Sequence, residues 1–286
     1  MQSDLLAVHF PTPDEGWAVG HDGVVLHSTD GGVTWAKQLD GRMLCTAFRE
    51  YYERTSRPDA LGALQNAVAQ LEQNCKDGFA PLPFLDVWFE NTHEGFVVGS
   101  FGMIAATTDG GKTWEPWLHR IDNSQGLNFN AIRDIEGHLY IAGEKGEVYR
   151  LDRSVGRFTK TDTGYTGSFF GIAGNGEALI AFGLRGVAYR SVDGGMRWEA
   201  LTMPADQTIT AGVSRSDGEG FVLVNVAGQM LLGDKSGKEF RAMQPKRPTR
   251  ATGIAPVDVE TYAITGLDGV QIEIMNNAPI SGSKTP

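Results

Sequence analysis

The amino-acid sequence predicts an all-β propeller with an α-helical hairpin inserted after its first blade. Two observations predict the propeller: a glycine-rich segment and an Asp-Gly-Gly turn recur along the chain with the same spacing. A third observation predicts the insertion, because one stretch of about 40 residues breaks the series and has helical periodicity. Six repeats are visible, and each blade of a propeller is a small sheet of four strands.

The glycine-rich segment marks the second strand of each repeat and the turn that follows it. Its clearest copies are residues 16–23 and 95–102, and weaker copies end at Gly146, Gly186, Gly228 and Gly269. Successive copies lie 79, 44, 40, 42 and 41 residues apart. Each interval of about 41 residues holds four short apolar runs separated by polar or glycine turns, which is typical of one blade.

The Asp-Gly-Gly turn connects the predicted third and fourth strands. The pattern Ser/Thr-x-Asp-Gly-Gly-x-x-Trp has three complete copies, which contain Asp30 and Trp35, Asp109 and Trp114, and Asp193 and Trp198. We expect each aspartate to bind backbone N–H groups of its own turn and each tryptophan to pack between blades. Three copies on separate blades cannot converge on one substrate, so we interpret these residues as structural and not catalytic.

The stretch that breaks the series, residues 41–80, has the pattern of two amphipathic helices. One apolar stripe, at steps of three or four residues, comprises Leu61, Leu64, Val68, Leu71 and Cys75, and a second comprises Cys45, Phe48 and Tyr52. Pro58 and Asp59 suit the first turn of the second helix. The sequence therefore predicts an antiparallel helical hairpin.

The two cysteines, Cys45 and Cys75, lie near the two helix ends that are neighbours in such a hairpin. We predict a disulfide between them, which would stabilise the fold by about 3–4 kcal/mol in the chain-entropy model. Two buried thiols are the alternative. A disulfide requires an oxidising compartment, which in a bacterium is the periplasm.

The predicted organisation is a propeller blade over residues 1–40, the helical hairpin over residues 41–80, further blades over residues 81–277 and a disordered tail over residues 278–286. No signal peptide is visible at the start, and the sixth repeat has no aromatic fourth strand. We expect that an upstream segment, a signal peptide plus roughly one more blade, precedes this chain.

Composition excludes several classes of protein. The 286 residues carry 35 acidic and 25 basic side chains, a net charge of −10, which argues against a nucleic-acid partner. No apolar run reaches the roughly 18 residues of a membrane span. The sequence contains no serine-hydrolase elbow, zinc-protease motif, P-loop or dinucleotide fingerprint. We therefore expect no catalytic or metal-binding residues and no cofactor.

Four basic residues form the candidate site. Lys145 and Arg185 occupy equivalent glycine turns of the third and fourth repeats, and Arg150 and Arg190 occupy equivalent strand ends. Equivalent positions on adjacent blades should cluster, and a basic patch on an acidic protein is a docking site for an acidic partner. Dispersed, solvated charges are the alternative.

The helical hairpin is a second candidate surface, because function tends to lie on insertions that a fold does not need. Four of its residues lie off the apolar stripes and should be exposed: Arg49, Tyr51, Glu53 and Arg54. We expect that deleting residues 41–80 would leave a folded propeller without partner binding.

The Asp-Gly-Gly turn resembles the Asp box of bacterial neuraminidase repeats. With the glycine-rich segment at residues 16–23, it most closely resembles the Ycf48/Hcf136 family of photosystem II stability and assembly factors. That resemblance implies a seven-bladed, non-enzymatic propeller of the thylakoid lumen or bacterial periplasm. The chain departs from the family in its six visible repeats, its missing signal peptide and its extra hairpin. The resemblance implies a periplasmic assembly or accessory factor that binds a membrane complex or transporter. We expect the protein to be a monomer.

Two other classes of function share the repeat. A sialidase-like glycoside hydrolase would need three arginines on the substrate carboxylate, a Tyr–Glu nucleophile pair and an Arg-Ile-Pro segment, and the last is absent from the sequence. A carbohydrate-binding propeller without catalysis is the remaining alternative.

Overall fold

The computed structural model describes residues 3–55 and 62–275, and its strands form antiparallel β-sheets. The described residues form five four-stranded sheets, one three-stranded sheet and two α-helices. The chain divides into two compact units, residues 1–134 with 138–161, and residues 135–137 with 162–286.

The first unit contains three sheets, in each of which consecutive strands pair as an antiparallel meander. The first sheet comprises β1 (Leu5–His9), β2 (Gly16–Gly20), β3 (Val25–Ser28) and β4 (Ala36–Leu39). The second comprises β5 (Phe84–Phe89), β6 (Gly95–Gly99), β7 (Ile104–Thr107) and β8 (Glu115–Pro116). The third comprises β9 (Phe129–Ile135), β10 (His138–Gly143), β11 (Val148–Asp152) and β12 (Arg157–Thr161).

The second unit continues the same pattern. Its first sheet comprises β13 (Phe169–Gly174), β14 (Leu179–Gly183), β15 (Ala188–Ser191) and β16 (Glu199–Ala200). The next comprises β17 (Ile209–Ser214), β18 (Phe221–Asn225), β19 (Met230–Gly233) and β20 (Phe240–Met243). The last has three strands among the described residues: β21 (Ala251–Pro256), β22 (Thr261–Gly266) and β23 (Gly269–Ile274).

Within each unit the first strands of neighbouring sheets pack side by side. Strand β1 lies against β5 in the first unit, and β17 lies between β13 and β21 in the second. Successive side chains of a strand point to opposite faces, so each sheet buries apolar residues on its neighbour. Four-stranded meanders whose first strands are adjacent are propeller blades, as the repeat predicts.

A tight turn joins the second and third strands of four blades, at residues 21–23, 100–102, 144–146 and 184–186. The central residue of each turn has a left-handed backbone although it is not glycine: Asp22, Phe101, Lys145 and Arg185, with φ between 53° and 60°. The glycine before the turn is needed for a different reason. A Cβ on Gly99 would lie 2.3 Å from the carbonyl oxygen of Pro83, closer than any side chain permits.

The predicted helical hairpin is confirmed by α1 (Gly41–Thr55) and α2 (Ala63–Asn74). Its buried residues belong to one apolar cluster with the blades of the first unit, and they are Leu44, Cys45, Phe48, Tyr52, Ala67 and Leu71. The insertion is therefore part of the core of this unit and not an appendage. Pro58, Asp59 and Leu61, and the expected tail at residues 278–286, lie outside the described residues.

Two interactions join the helices. Cys45 and Cys75 form a disulfide with their Cα atoms 5.7 Å apart. The guanidinium of Arg49 donates to both carboxylate oxygens of Glu72, at 2.8 and 2.9 Å, and to the Cys75 carbonyl at 2.9 Å. The expectation that Arg49 is freely exposed is wrong, because its side chain bridges the two helices.

Tyr51 also differs from the expectation of exposure. It is half-buried, with its ring 5.5 Å from that of Tyr52 and 6.0 Å from that of His119. Glu53 and Arg54 are exposed, as predicted. Of the four helix residues that we expected to be exposed, only these two are fully exposed.

Protein isolated from an oxidising compartment should contain no free thiol when it is denatured without reductant. Reduction should lower its free energy of unfolding by about 3–4 kcal/mol, since the crosslink restricts the unfolded chain. Thiol titration and urea unfolding with and without reductant measure both effects. The double variant Cys45→Ser with Cys75→Ser is the control and should not respond to reductant. Two titratable thiols would contradict the prediction.

Candidate functional site

In the Asp boxes each aspartate binds its own turn. Asp30 accepts hydrogen bonds from the backbone N–H of Thr34 at 2.8 Å, from the Thr34 hydroxyl at 2.6 Å and from the Ser28 hydroxyl at 2.8 Å. Asp109 makes the same three bonds, and in the third box Arg197 Nε replaces the threonine hydroxyl on Asp193. The hydrogen bonds from Thr34 lower the pKa of Asp30 to about 2. A carboxyl group this acidic is ionised at neutral pH and cannot serve as a proton donor.

The Asp-box tryptophans do not share one environment. Trp114 is 5% exposed and lies edge-on to Phe89, with centroids 6.0 Å apart. Trp35 is half-buried, packs on Phe10 at 5.8 Å and donates its indole N–H to the Gly32 carbonyl at 2.9 Å. Both tryptophans contact the aromatic residue at the end of the first strand of their own blade. The expected packing between blades is therefore not what these contacts show.

The aromatic contact between the first two blades comes from Trp17 instead. Its ring stacks on Phe89 with centroids 3.6 Å apart and on His27 at 4.4 Å. The indole N–H of Trp17 donates to Gln38 at 3.1 Å, and Gln38 in turn donates to the Gly110 carbonyl in the second Asp box at 2.7 Å. Trp17 and Gln38 thus link the two blades.

A hydrogen-bonded tyrosine and glutamate are present, but they are buried. The Tyr149 hydroxyl donates to the Glu147 carboxylate, which also pairs with Lys160. Tyr149 is fully buried and Glu147 is 6% exposed. Burial and the hydrogen bond to Glu147 raise the pKa of Tyr149, which makes its hydroxyl a poorer nucleophile. This pair stabilises the third blade and does not resemble an accessible sialidase nucleophile.

Asp86 is a buried carboxylate that the sequence motifs did not indicate. Asp86 is 4% exposed, accepts hydrogen bonds from the backbone N–H groups of Val87 at 3.0 Å and Ile132 at 2.8 Å, and pairs with Arg133. Burial raises the pKa of Asp86, and the charge of Arg133 opposes that shift. The repeat indicates it, because the equivalent positions of four other blades hold alanine or glycine: Ala7, Gly171, Ala211 and Gly253.

The same region contains a half-buried histidine. His9 accepts a hydrogen bond from the backbone N–H of Phe89 at 3.2 Å, which ties β1 to β5. Burial lowers the pKa of His9 to about 4, and the nearby charge of Arg133 acts in the same direction. His119, beside α1, has its pKa lowered to about 4 by burial and by Arg120 and Arg157. Both imidazoles are therefore neutral at pH 7.

The four predicted basic residues do not form one patch. Lys145 lies in the turn before β11, whereas Arg150 lies near the far end of that strand. Arg185 and Arg190 have the same relation on β15. A strand rises about 3.3 Å per residue, so the members of each pair lie at opposite ends of a strand. The expectation of a single cluster fails within each blade.

Two of the four basic residues have structural partners. Arg190 donates to the Ser236 carbonyl and to the Glu199 carboxylate, both at 2.6 Å, and its side chain is 15% exposed. Arg150 contacts His138 at 3.0 Å and lies over the ring of Tyr140, 5.9 Å from its centroid. Their side chains hold neighbouring segments together.

The two turn residues are better placed to bind a partner. Lys145 is exposed and donates to the amide oxygen of Gln125 at 2.5 Å. Arg185 is exposed and makes no ion pair within residues 3–55 and 62–275, while its backbone N–H donates to the Thr208 hydroxyl at 3.2 Å. The guanidinium of Arg185 is thus available to a ligand.

Arg185 lines a cavity of about 600 Å³ in the second unit. Aromatic and aliphatic side chains form much of its wall, among them Tyr165, Tyr189, Leu201 and Met203. The two tyrosine rings lie 5.4 Å apart and 34° from parallel. Asp206 is the other charged lining residue. An apolar wall beside a cation suits a segment that carries an acidic group next to an apolar one.

Within the described residues no helix is long and apolar enough to span a bilayer. Nor do residues 3–55 and 62–275 contain a cluster of three or more histidine, cysteine, aspartate or glutamate residues that could hold a metal ion.

The meander blades define a β-propeller protein. A family model described as photosynthesis system II assembly factor YCF48 matches residues 79–251, and the chain belongs to this family. The match begins after the two helices. Over 149 residues the chain is 32% identical to the photosystem II assembly lipoprotein Ycf48 of Synechococcus sp. (strain CC9902), which covers 50% of this chain and 44% of that protein.

Solved structures show the same fold. A structure of YCF48 bound to D1 peptide superposes with a TM-score of 0.55 at 16% identity, covering 96% of this chain and 94% of that one. Virginiamycin B lyase from Staphylococcus aureus has a TM-score of 0.64 at 11% identity, covering 95% and 84%. At these identities the likeness concerns the propeller fold alone.

We expect Trp114→Ala to lower the free energy of unfolding by about 3–5 kcal/mol, the usual cost of removing a buried large aromatic side chain. Trp35→Ala should cost only about 1–2 kcal/mol, because that ring is half-buried and loses one hydrogen bond. Urea unfolding of both variants measures the difference. Equal losses would contradict the assignment of different environments.

The free energy of unfolding should fall as the pH drops from about 6.5 to about 4, by about 1–2 kcal/mol for each of these two half-buried histidines, because solvent screens partly exposed groups. The unfolded chain takes up these protons near pH 6.5, whereas folded His9 and His119 take them up near pH 4. Urea unfolding at several pH values compares the native protein with a His9→Gln, His119→Gln double variant. The exposed His93→Gln is the control; a double variant with the native pH dependence would refute the prediction.

Proposed function

We propose that this protein is a non-enzymatic assembly or accessory factor of the periplasm. We propose further that the Arg185 cavity binds an acidic segment of a membrane-associated protein partner. The observation that carries this proposal is that the exposed Arg185 lines a cavity. Its charge is unpaired among the described side chains, and the wall beside it is apolar.

The relatives support a peptide as the class of ligand. The family is described as photosystem II assembly factors, and a YCF48 protein of the same fold was solved bound to D1 peptide. A cavity of about 600 Å³ has room for a few side chains of such a segment. We infer that an acidic residue of the partner pairs with Arg185 while an apolar neighbour packs on Tyr165 and Tyr189.

The pKa values and burial of the carboxyl and tyrosine side chains that could act in catalysis support a non-enzymatic role. The hydrogen bonds of Asp30 and Asp193 keep their pKa values near 2, and Tyr149 is buried with a raised pKa. The periplasmic location is supported by the disulfide, since such bonds persist in oxidising compartments.

The helical insertion contributes to binding through its exposed residues. Its buried stripe is continuous with the core of the first unit, so deletion of residues 41–80 would uncover apolar side chains of the blades. Deletion is therefore a poor test of binding. Charge reversal at the exposed residues Glu53 and Arg54 tests the same surface and leaves that core unchanged.

Arg185→Glu should abolish capture of the partner, and the loss should be specific to this position. Detergent-solubilised membranes of the source organism are passed over immobilised native protein and variants, and bound proteins are quantified by mass spectrometry. Native protein should retain at least one membrane protein at least tenfold above Arg185→Glu, and added salt should weaken that capture because exposed ion pairs are screened.

Lys238→Glu is the matched control, because this exposed lysine undergoes the same charge change away from the cavity. It should capture the partner as the native protein does. Equal capture by native protein and Arg185→Glu would refute the role of the cavity. Binding of glycans by the native protein on an array, lost in Tyr165→Ala, would instead favour the carbohydrate-binding alternative.

A further inference from the structure

A second cleft lies between the second and third blades of the first unit. Its volume is about 310 Å³. Apolar side chains form its floor, and they are Trp88, Phe96, Ala106, Trp117 and Leu151. Neither the repeat nor the relatives assign it a role.

Aromatic contacts make the floor of this cleft rigid. Phe96 meets Trp117 edge to face with centroids 4.8 Å apart, and both rings pack on Phe158, at 5.8 and 6.2 Å. The guanidinium carbon of Arg120 lies 4.7 Å from the centre of the Trp117 ring. Side chains that hold one another in this way form a preorganised site, which loses little entropy when a ligand binds.

Some of the charged side chains around the floor form ion pairs, and others do not. Glu90 forms an ion pair with Arg153 at 2.8 Å, and Arg120 is stacked on Trp117. Glu94 and Glu115 are exposed and have no ion-pair partner within the described ranges 3–55 and 62–275. The lining therefore offers two unpaired carboxylates beside an apolar floor.

We propose that this cleft binds an extended segment of a partner protein in which an aromatic or branched apolar residue lies beside a lysine or arginine. The apolar residue would pack on Phe96 and Trp88, and the basic residue would pair with Glu94 or Glu115. Alternate residues of an extended chain point to opposite sides, so neighbouring side chains reach the floor and the rim. This inference rests on the proposed function that the protein binds protein segments, but its charge preference is opposite to that of the Arg185 cavity.

The test uses two capped hexapeptides, one alternating phenylalanine with lysine and the other alternating phenylalanine with glutamate. Neither peptide contains tryptophan, so all tryptophan fluorescence comes from the protein, whose six tryptophans include Trp88 and Trp117 of the cleft. Titration of the native protein should show the lysine peptide binding at least tenfold more tightly than the glutamate peptide. No saturable binding of the lysine peptide, or equal affinity for both, would overturn the proposal.

Glu94→Gln combined with Glu115→Gln should reduce this preference at least fivefold, since both side chains are exposed and the change preserves their size. Glu50→Gln, at an exposed site on α1, is the matched control and should leave the preference unchanged. An unchanged preference in the double variant would also overturn the proposal. The Arg185→Glu variant should bind the lysine peptide normally, so failure of the cleft and failure of the proposed function give different results.

Discussion

The close approach of the second strand to the chain before the first strand is the constraint on which the blades depend. At Gly20, Gly99 and Gly183 an added Cβ would lie 2.0 to 2.3 Å from a backbone carbonyl oxygen, so no side chain fits there. The next residue donates its backbone N–H to that same carbonyl, for example Ser100 to Pro83 at 3.1 Å. The chain then reverses through a residue with left-handed backbone geometry, which costs free energy that the surrounding hydrogen bonds offset.

That turn leaves one side-chain position whose identity the blade does not restrict, and the blades use it differently. Asp22 accepts a hydrogen bond from Ser3, while the side chain of Phe101 is 53% exposed. Lys145 and Arg185 are exposed cations. The same backbone turn thus presents a hydrogen-bond acceptor, an aromatic ring and two charged groups, which is how one fold supports different functions.

The helical insertion shares one hydrophobic core with the blades of the first unit. Cys45, Phe48 and Leu71 belong to the same buried cluster as Trp17 and Phe84 of the blades. The charged groups inside this unit bind backbone or oppositely charged neighbours, as Asp86 and Glu147 do, and are not arranged around an open cavity. The Arg185 cavity and the cleft between the second and third blades both have apolar walls with a few charged side chains beside them. Interfaces that bind polypeptides have such a composition.

The sequence by itself determined the blades, the two helices and the partner of each Asp-box aspartate, because these depend on residues close together in the chain. The period of about 41 residues and the stripe of Leu64, Val68 and Leu71 needed no tertiary information. Only the tertiary structure decided that Lys145 and Arg150 lie at opposite ends of a strand, that Arg49 bridges the helices and that Trp35 is half-buried. It also decided which side chains line the Arg185 cavity. Those properties depend on which segments pack against one another, and contacts between residues distant in sequence leave no periodic pattern in the chain.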